Sequence, residues 1–276
     1  MNPIELRDDV PRIPLDAALS LLRCPQCRQD LARTGRTLRC PSGHSFDIAR
    51  QGYVNLAGHA PPRNADTPAM VAARERFLAT GHYRPVADAA VAELAGVRTV
   101  LEVGAGTGYY LRAALAALPA AVGVATDVSP AAMKRAAGSG LAGVVADTWA
   151  GLPLADGCLD AVLCVFAPRN PPEFARLLKP DGRVVVVTPS AGHLRQARDQ
   201  LGLLGVEHDK ASHLAASFGA AGFRLAGQSQ VAYSIHCSSQ QLTDLVEMGP
   251  NAFHAHAPAC VNLQVDVAVQ VSVFVT

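Results

Sequence analysis

Residues 99–110 read Thr-Val-Leu-Glu-Val-Gly-Ala-Gly-Thr-Gly-Tyr-Tyr, an apolar run that ends in three alternating glycines. The TVLEV segment suits a strand buried on both faces. Glycines after it let the backbone turn sharply and approach a ligand closely. Tyr109 to Leu118 then follows helical spacing, so the stretch reads strand, loop, helix. A dinucleotide-binding loop starting at Gly104 would need glycine at position 109, where the chain has Tyr109. The form present, acid-x-G-x-G-x-G from Glu102 to Gly108, suits S-adenosylmethionine, whose amino-acid end meets the loop in place of a pyrophosphate.

Downstream, the alternation repeats. Strands are expected at 121–126, 143–146, Leu159 to Phe166 and Gly182 to Thr188, and helices at Pro130 to Ala137 and Pro172 to Leu178. Strands separated by single helices imply a parallel sheet covered on both faces, an α/β, Rossmann-like fold. Near the C-terminus, Val265, Val267, Val269, Val271 and Val273 alternate with polar or small residues. That period of two fits a strand with one buried face, a pattern common in antiparallel pairs.

In open α/β sheets, ligands bind beyond the carboxyl ends of the strands. Asp127 ends the second strand, nineteen residues after Gly108, and can accept both ribose hydroxyl protons. Asp147 ends the third strand and can meet the adenine amino group. Capping is the competing role for both, since Ser129-Pro130 is a plausible helix start. After the fourth strand comes Ala167-Pro168-Arg169-Asn170-Pro171-Pro172. Its Asn-Pro-Pro resembles the Asn-Pro-Pro-aromatic loop of amino-methylating enzymes, with Glu173 in place of the aromatic; the alternative is an ordinary proline-rich turn.

Upstream, Cys24, Cys27, Cys40 and His44 form C-x-x-C, twelve residues, C-x-x-x-H, a spacing that suits one tetrahedral zinc ion. Four protein ligands fill the shell, so this zinc is structural. Pro25, Pro41 and Gly43 supply turn chemistry between the ligands. The expected division is a loose N-terminal arm over 1–22 that ends in a short helix (Ala17 to Leu22), a zinc-binding module over 23–56, a linker and helices over 57–96, and the methyltransferase domain over 97–276. Thr67 caps a helix with Pro68 at its first position, and a second helix runs from about Pro85 to Leu94.

Composition narrows the partners. Half of the 276 residues are hydrophobic, enough for a core without disulfides, and the net charge of +1 favours no class of partner. From Arg23 to Gly52, six arginines face only Asp30 and Asp47; with three thiolates and a zinc ion counted, the module stays near +3. Arg28, Arg33, Arg36, Arg39 and Arg50 are expected to meet phosphates, against the plain alternative of a solvated surface. Tyr53 either stacks on a base or staples the module to the linker. Cys158, Cys164, Cys237 and Cys260 lie in or beside apolar stretches and read as small buried hydrophobes in a reducing cytosol. The first twenty residues carry Glu5, Asp8, Asp9 and Asp16 with no secretory apolar region, and no apolar run reaches membrane-spanning length. A cytoplasmic protein without membrane partners is expected.

The run CPQC…LRCPSGHSFDIARQGYVNL, then AARERFLATGHYRP, EVGAGTGYY and FAPRNPPE, resembles the bacterial 23S rRNA (guanine-N1)-methyltransferases over about residues 23–205. The FAPRNPPE, DVSP and TPSAGHL stretches resemble the subgroup associated with resistance to tylosin-type macrolides, which methylates a guanine in the hairpin 35 loop of 23S rRNA. The resemblance implies a class I S-adenosylmethionine-dependent fold and zinc ligation by the four residues named. It implies cofactor contacts from the glycine loop and Asp127, and also from Tyr83, Tyr110, Leu111 and His193, each of which has packing as its alternative. It also suggests a homodimer whose two zinc modules frame a groove for the RNA.

Guanine N1 carries a proton that must leave, so a base or a polarising contact to the guanine carbonyl is needed. Arg169 is read as stabilising the developing oxyanion and Asn170 as orienting the base edge. Two other functions compete: small-molecule methylation with the zinc module covering the pocket, and a zinc-stapled nucleic-acid-binding regulator without catalysis.

Overall fold

The computed structural model of the chain describes residues 12–62, 64–201, 210–249, 252 and 261–276. The first element is helix α1 (Pro14–Ala18), continued by a 3-10 turn at Leu19–Leu21. Three short strands, β1 (Ala32–Thr34), β2 (Thr37–Arg39) and β3 (Ser45–Asp47), make a small antiparallel sheet, and β4 (Val54–Asn55) follows. Helices α2 (Pro68–Ala79) and α3 (Arg84–Ala92) lead into β5 (Thr99–Val103), α4 (Tyr109–Ala117), β6 (Val122–Asp127), α5 (Pro130–Gly138) and β7 (Ala142–Val145). Then come β8 (Leu159–Val165), α6 (Pro171–Leu177), β9 (Leu178–Pro189), α7 (Arg195–Leu201), α8 (Lys210–Ala220), β10 (Arg224–Cys237), α9 (Ser239–Glu247) and β11 (Leu263–Val275).

Eight strands form the main sheet in the order β10-β11-β9-β8-β5-β6-β7-β4. From β9 to β4 all neighbours are parallel, while β11 runs antiparallel to both β9 and β10. The order reverses direction around β5, so the carboxyl ends of β5, β6 and β8 surround the crevice where such sheets hold ligands.

Alternation along each strand divides the core into two. Val100, Ala161, Leu163, Val185 and Val187 face one layer, built mainly from α2, α3, α4, α5 and α9. Leu101, Val162, Cys164, Val184 and Val186 face the other, built from α1, α6, α8 and the zinc-ligand region. Five of the six parallel strands, β5 to β9, and the helices between them match the sequence pattern to within a few residues, and β4 is the addition. Local chemistry explains the starts. Thr67 Oγ1 accepts the Met70 amide at 3.3 Å with Pro68 at the first helical position, and Ser129 Oγ accepts the Ala132 amide at 3.2 Å.

Two expectations need correction. The arm is not loose over its described part, because Leu15, Ala18 and Leu22 are fully buried and Asp16 pairs with Arg33 at 2.6 Å. Its helix starts at Pro14 rather than Ala17, since proline suits the first turn and the Asp16 carboxylate accepts the Ile13 amide at 2.7 Å. The zinc-ligand region also does not stand apart. β4 joins the main sheet beside β7, Leu56 N–H donates to Val145 O at 2.9 Å, and Arg23 N–H donates to Pro153 O at 2.8 Å. Tyr53 is half-buried against the core, 3.2 Å from where a methyl group on Gly143 would sit, so it fastens the ribbon to β7 of the main sheet. Cys164 and Cys237 are buried and Cys158 is half-buried, while Cys260 lies outside the described residues. No helix among the described residues is long and apolar enough to cross a membrane.

Candidate functional site

The glycine loop is folded by carboxylates on both sides. Glu102, only 1% exposed, accepts the Leu111 amide at 3.0 Å and so closes the first turn of α4. Burial pushes its carboxyl up to about 8. Asp127 accepts the Gly106 amide at 2.9 Å with one oxygen and the Ser129 amide at 2.9 Å with the other. Burial raises its pKa against those two hydrogen bonds. Asp127 therefore braces the glycine loop and, through the Ser129 amide, holds the residue that caps α5, without being the cap itself. Gly104 has φ +59°, and a methyl group there would lie 2.6 Å from Ala167 Cβ, so the loop and the wall after β8 touch at backbone distance. Gly108 opens α4 with φ +73°.

Two adjoining cavities of about 260 and 330 Å³ lie over the strand ends and share Arg74, Gly104 and Phe166. The smaller is lined by Tyr83, Glu102, Gly106, Tyr110 and His193 among others. The larger is lined by Asp127, Asp147, Trp149 and Pro168 among others. Most of the sequence-selected group thus converges on one place. Leu111 does not reach the cavities; its side chain is fully buried in the core and only its amide touches the site, through Glu102.

One wall is aromatic. Buried His193 lies 3.3 Å from the Tyr83 hydroxyl through Nε2, and its Nδ1 accepts the Ala268 amide at 3.3 Å. With Nδ1 accepting, Nε2 carries the proton and donates to Tyr83. Burial lowers the His193 pKa to about 4, so the ring is neutral at physiological pH. Phe166 stacks on it, ring centres 5.7 Å apart at 26°. Phe166 has φ +52° and is 40% exposed, a strained placement for a bulky residue at the junction of both cavities.

Asp147 accepts the Trp149 amide at 2.9 Å, so it closes a turn while facing the larger cavity. Asn170 Nδ2 donates to Thr148 O at 2.8 Å. Neither Asn170 nor Arg169 lines either cavity; both follow directly after its Phe166–Pro168 wall.

At the other end of the site's framework, the four metal-ligand atoms of Cys24, Cys27, Cys40 and His44 all lie within 4.8 Å of one another. Cys27 and Cys40 sulfurs are 3.6 Å apart and His44 Nδ1 is 3.3 Å from Cys40 Sγ. A tetrahedron with metal–sulfur bonds of about 2.3 Å has edges of about 3.8 Å, so the donor set fits zinc. Two tight turns hold it. Cys24 N–H donates to Gln29 O at 2.8 Å, and Gly43 N–H donates to Cys40 O at 2.9 Å.

Comparison with known proteins separates this arrangement from other α/β enzymes. Residues 22–57 match the zinc-ribbon family described as RlmA, N-terminal, and residues 100–182 match a methyltransferase domain family. A 23S rRNA (guanine(748)-N(1))-methyltransferase of Streptomyces fradiae is 43% identical over 84% of this chain and 86% of its own. A protein of Micromonospora griseorubida assigned as a 23S rRNA (guanine-N1)-methyltransferase is 46% identical over 84% of this chain and 87% of its own. The chain belongs to the 23S rRNA (guanine-N1)-methyltransferase family. Among solved structures, a Haloferax volcanii methyltransferase in complex with the Trm112 activator matches with a TM-score of 0.54 at 22% identity, over 76% of this chain and 97% of its own, a likeness of fold.

Within this methyltransferase, the arginines of the zinc ribbon divide. Arg28 donates to Leu152 O at 3.0 Å and Leu154 O at 2.6 Å, Arg33 pairs with Asp16, and Arg36 donates to Ala49 O at 2.5 Å. Those three hold the ribbon together or fasten it to the sheet, which corrects the expectation of five free phosphate-binding arginines. Arg39 and Arg50 are exposed, with no ion-pair or hydrogen-bond partner among the described residues. The sequence reading missed Arg74, Tyr109, Phe166 and Trp149, all of which line the methyltransferase's cavities. Phe166 was legible as the end of a strand, but nothing in its sequence context announces a left-handed backbone.

Proposed function

We propose that this protein transfers the methyl group of S-adenosylmethionine to N1 of a guanine in the hairpin 35 loop of 23S rRNA, conferring macrolide resistance. One observation carries the reading: two cavities adjoin at the strand ends and share Gly104 and Phe166, one lined by Asp127 and Asp147 and suited to a nucleoside, the other lined by Glu102 and Arg74 and suited to the amino-acid end of a methyl donor, so the sulfonium falls at their junction where an acceptor can approach. The named specificity of the Streptomyces fradiae relative supports N1 of guanine as the acceptor.

When bound, S-adenosylmethionine supplies an activated methyl on a sulfonium. The chain's own residues then position. Asp127 faces the ribose hydroxyls and Asp147 the adenine amino group. Glu102, Gly104, Gly106 and Tyr110 surround the amino-acid end, Gly108 turns the chain into α4 behind them against Leu141, and Leu111 contributes through its amide on Glu102. Tyr83 and His193 wall the same cavity beside the amino-acid end of the donor, locked by their mutual hydrogen bond. Positioning of this kind is worth up to roughly 7–11 kcal/mol in favourable systems. N1 lies on the Watson–Crick edge, so the guanine must be unpaired or flipped out. Arg169 stabilises the carbonyl oxyanion as the N1 proton passes to solvent water, and Asn170 orients the base edge after exchanging its Thr148 partner.

The zinc ribbon meets the RNA backbone, with Arg39 and Arg50 as its free cations, so binding weakens as salt rises. The protein acts in the cytoplasm, with no membrane partner, as a homodimer whose two ribbons frame the hairpin. Labelled methyl transfer to a hairpin 35 transcript tests the reading. Label is expected on the RNA and lost when N1 of the target is already methylated. Label on small guanine compounds with none on RNA would instead establish small-molecule methylation.

A further inference from the structure

The two cavities are lined by Asp66, Glu102, Asp127 and Asp147, yet among the described lining residues they hold one permanent cation, Arg74. His193 does not add a second, because burial keeps it neutral. Arg74 is fixed by α2, whose Met70, Val71, Ala73, Phe77 and Leu78 are buried. Its guanidinium lies over the glycine loop: a methyl group on Gly106 would sit 2.7 Å from Arg74 Nη1.

The partners of that guanidinium are specific. Nη1 pairs with the Asp66 carboxylate, and Nη2 donates to Met248 O at 2.5 Å at the end of α9. Asp66 is itself held in place, since its carbonyl accepts Ser129 Oγ at 2.6 Å, two residues from Asp127. A mostly buried guanidinium needs a charged partner, and here a carboxylate from the preceding loop supplies it at the mouth of the cavity. The guanidinium fork matches a carboxylate in shape as well as charge.

We propose that Arg74 is the carboxylate-binding residue of this site: it takes the α-carboxylate of the methyl donor, a place that the Asp66 side chain holds until the donor arrives. The inference rests on the reading of these cavities as a methyl-donor site, and it explains how a zwitterion is accommodated there. The donor's amino-acid end carries an ammonium and a carboxylate. Glu102, across the same cavity, is the acceptor for the ammonium, and Arg74 is the fork for the carboxylate. Arg74's charge already acts on Glu102, opposing the upward push of burial on its carboxyl.

The test compares ligands that differ only in the carboxylate. Calorimetric titration of the full-length, zinc-loaded protein would use S-adenosylmethionine and decarboxylated S-adenosylmethionine. In the wild type the carboxylate should strengthen binding roughly tenfold to a hundredfold. Arg74→Gln should bring that ratio close to one, with the decarboxylated donor bound nearly as before. Asp66→Asn should move the ratio the opposite way, since the competing carboxylate is gone. A purely structural Arg74–Asp66 pair predicts something else: both variants weaken both ligands alike, which would overturn the inference even if melting points fall. An unchanged ratio in Arg74→Gln would also overturn it. Failure of the wild type to bind S-adenosylmethionine or S-adenosylhomocysteine at all would remove the methyl-donor reading itself, and that result is recognisable without any variant.

Discussion

Gly104→Ala isolates the contact on which the site's shape depends. Gly104 has φ +59°, and an alanine Cβ there would lie 2.6 Å from Ala167 Cβ. The left-handed backbone costs a non-glycine residue about 1–2 kcal/mol. The overlap adds about 1–3 kcal/mol, because a Cβ fixed to the backbone cannot rotate away as a flexible side-chain end can. Ordinary carbon contacts lie at about 3.5–4.0 Å, so the loop or the Ala167 wall must yield by about 1 Å. Gly96→Ala is the control: φ is +79° and nothing lies within 4 Å, so it carries the backbone cost alone. Equilibrium urea unfolding should therefore place Gly104→Ala about 1–3 kcal/mol below Gly96→Ala. Because Gly104 lines both cavities, the same shift should weaken S-adenosylmethionine binding by about tenfold or more, read by calorimetry. Equal destabilisation of the two variants, with donor affinity unchanged in both, would refute the argument that loop and wall are packed to define the site.

Cys40→Ser should release one zinc ion per chain to a chromophoric chelator and lower the unfolding midpoint, because the ribbon shares its core and its β4 strand with the main sheet. Retained zinc would contradict the four-ligand centre. Glu102 has a folded pKa raised from 4.5 to about 8, so its contribution favours the folded state at low pH and fades across that window as pH rises. Glu102→Gln, which keeps an acceptor for Leu111, should gain stability relative to wild type at about pH 9 compared with about pH 5; a constant difference argues against a buried protonated carboxyl. His193 runs the other way. Its folded pKa is depressed from 6.5 to about 4, so the stability it contributes is present above 6.5 and is lost as pH falls through that interval. His193→Gln should flatten this acid limb in thermal melts, and an unaltered limb assigns the loss to other groups.

Much of this fold was legible because its parallel strands are apolar runs and its helices announce themselves by caps. Thr67-Pro68 and Ser129-Pro130 mark two starts, and both hydroxyls accept the expected amides. The β10 strand was missed, for a physical reason only in its first half. Arg224–Gln230 lies at the sheet edge, exposed or half-exposed and with little apolar alternation to read, whereas Val231, Tyr233, Ile235 and Cys237 alternate toward the core, a signal that was present in the sequence. α9 was missed although Ser238 and Gln241 form a capping box at its start, a signal present in the sequence. The glycine loop and Asp127 were legible as a pattern, but their coupling was not. That the Asp127 carboxylate takes the Gly106 amide is a contact across 21 residues. Arg74 stands in the AARERFLATGHYRP run, but nothing in that run marks it as a ligand residue, and its place over Gly106 follows only from how α2 crosses the strand ends. The ribbon arginines show the converse: charge clustering was visible, whereas the carbonyls that occupy Arg28 and Arg36 were not.

This protein methylates N1 of a guanine in 23S rRNA. The decisive experiment is mass mapping of 23S rRNA from otherwise identical cells with and without the gene. One additional methyl is expected on a guanine of the hairpin 35 loop, located on the Watson–Crick edge and absent without the gene. Identical mass maps from the two strains, or a methyl on another base, would contradict it.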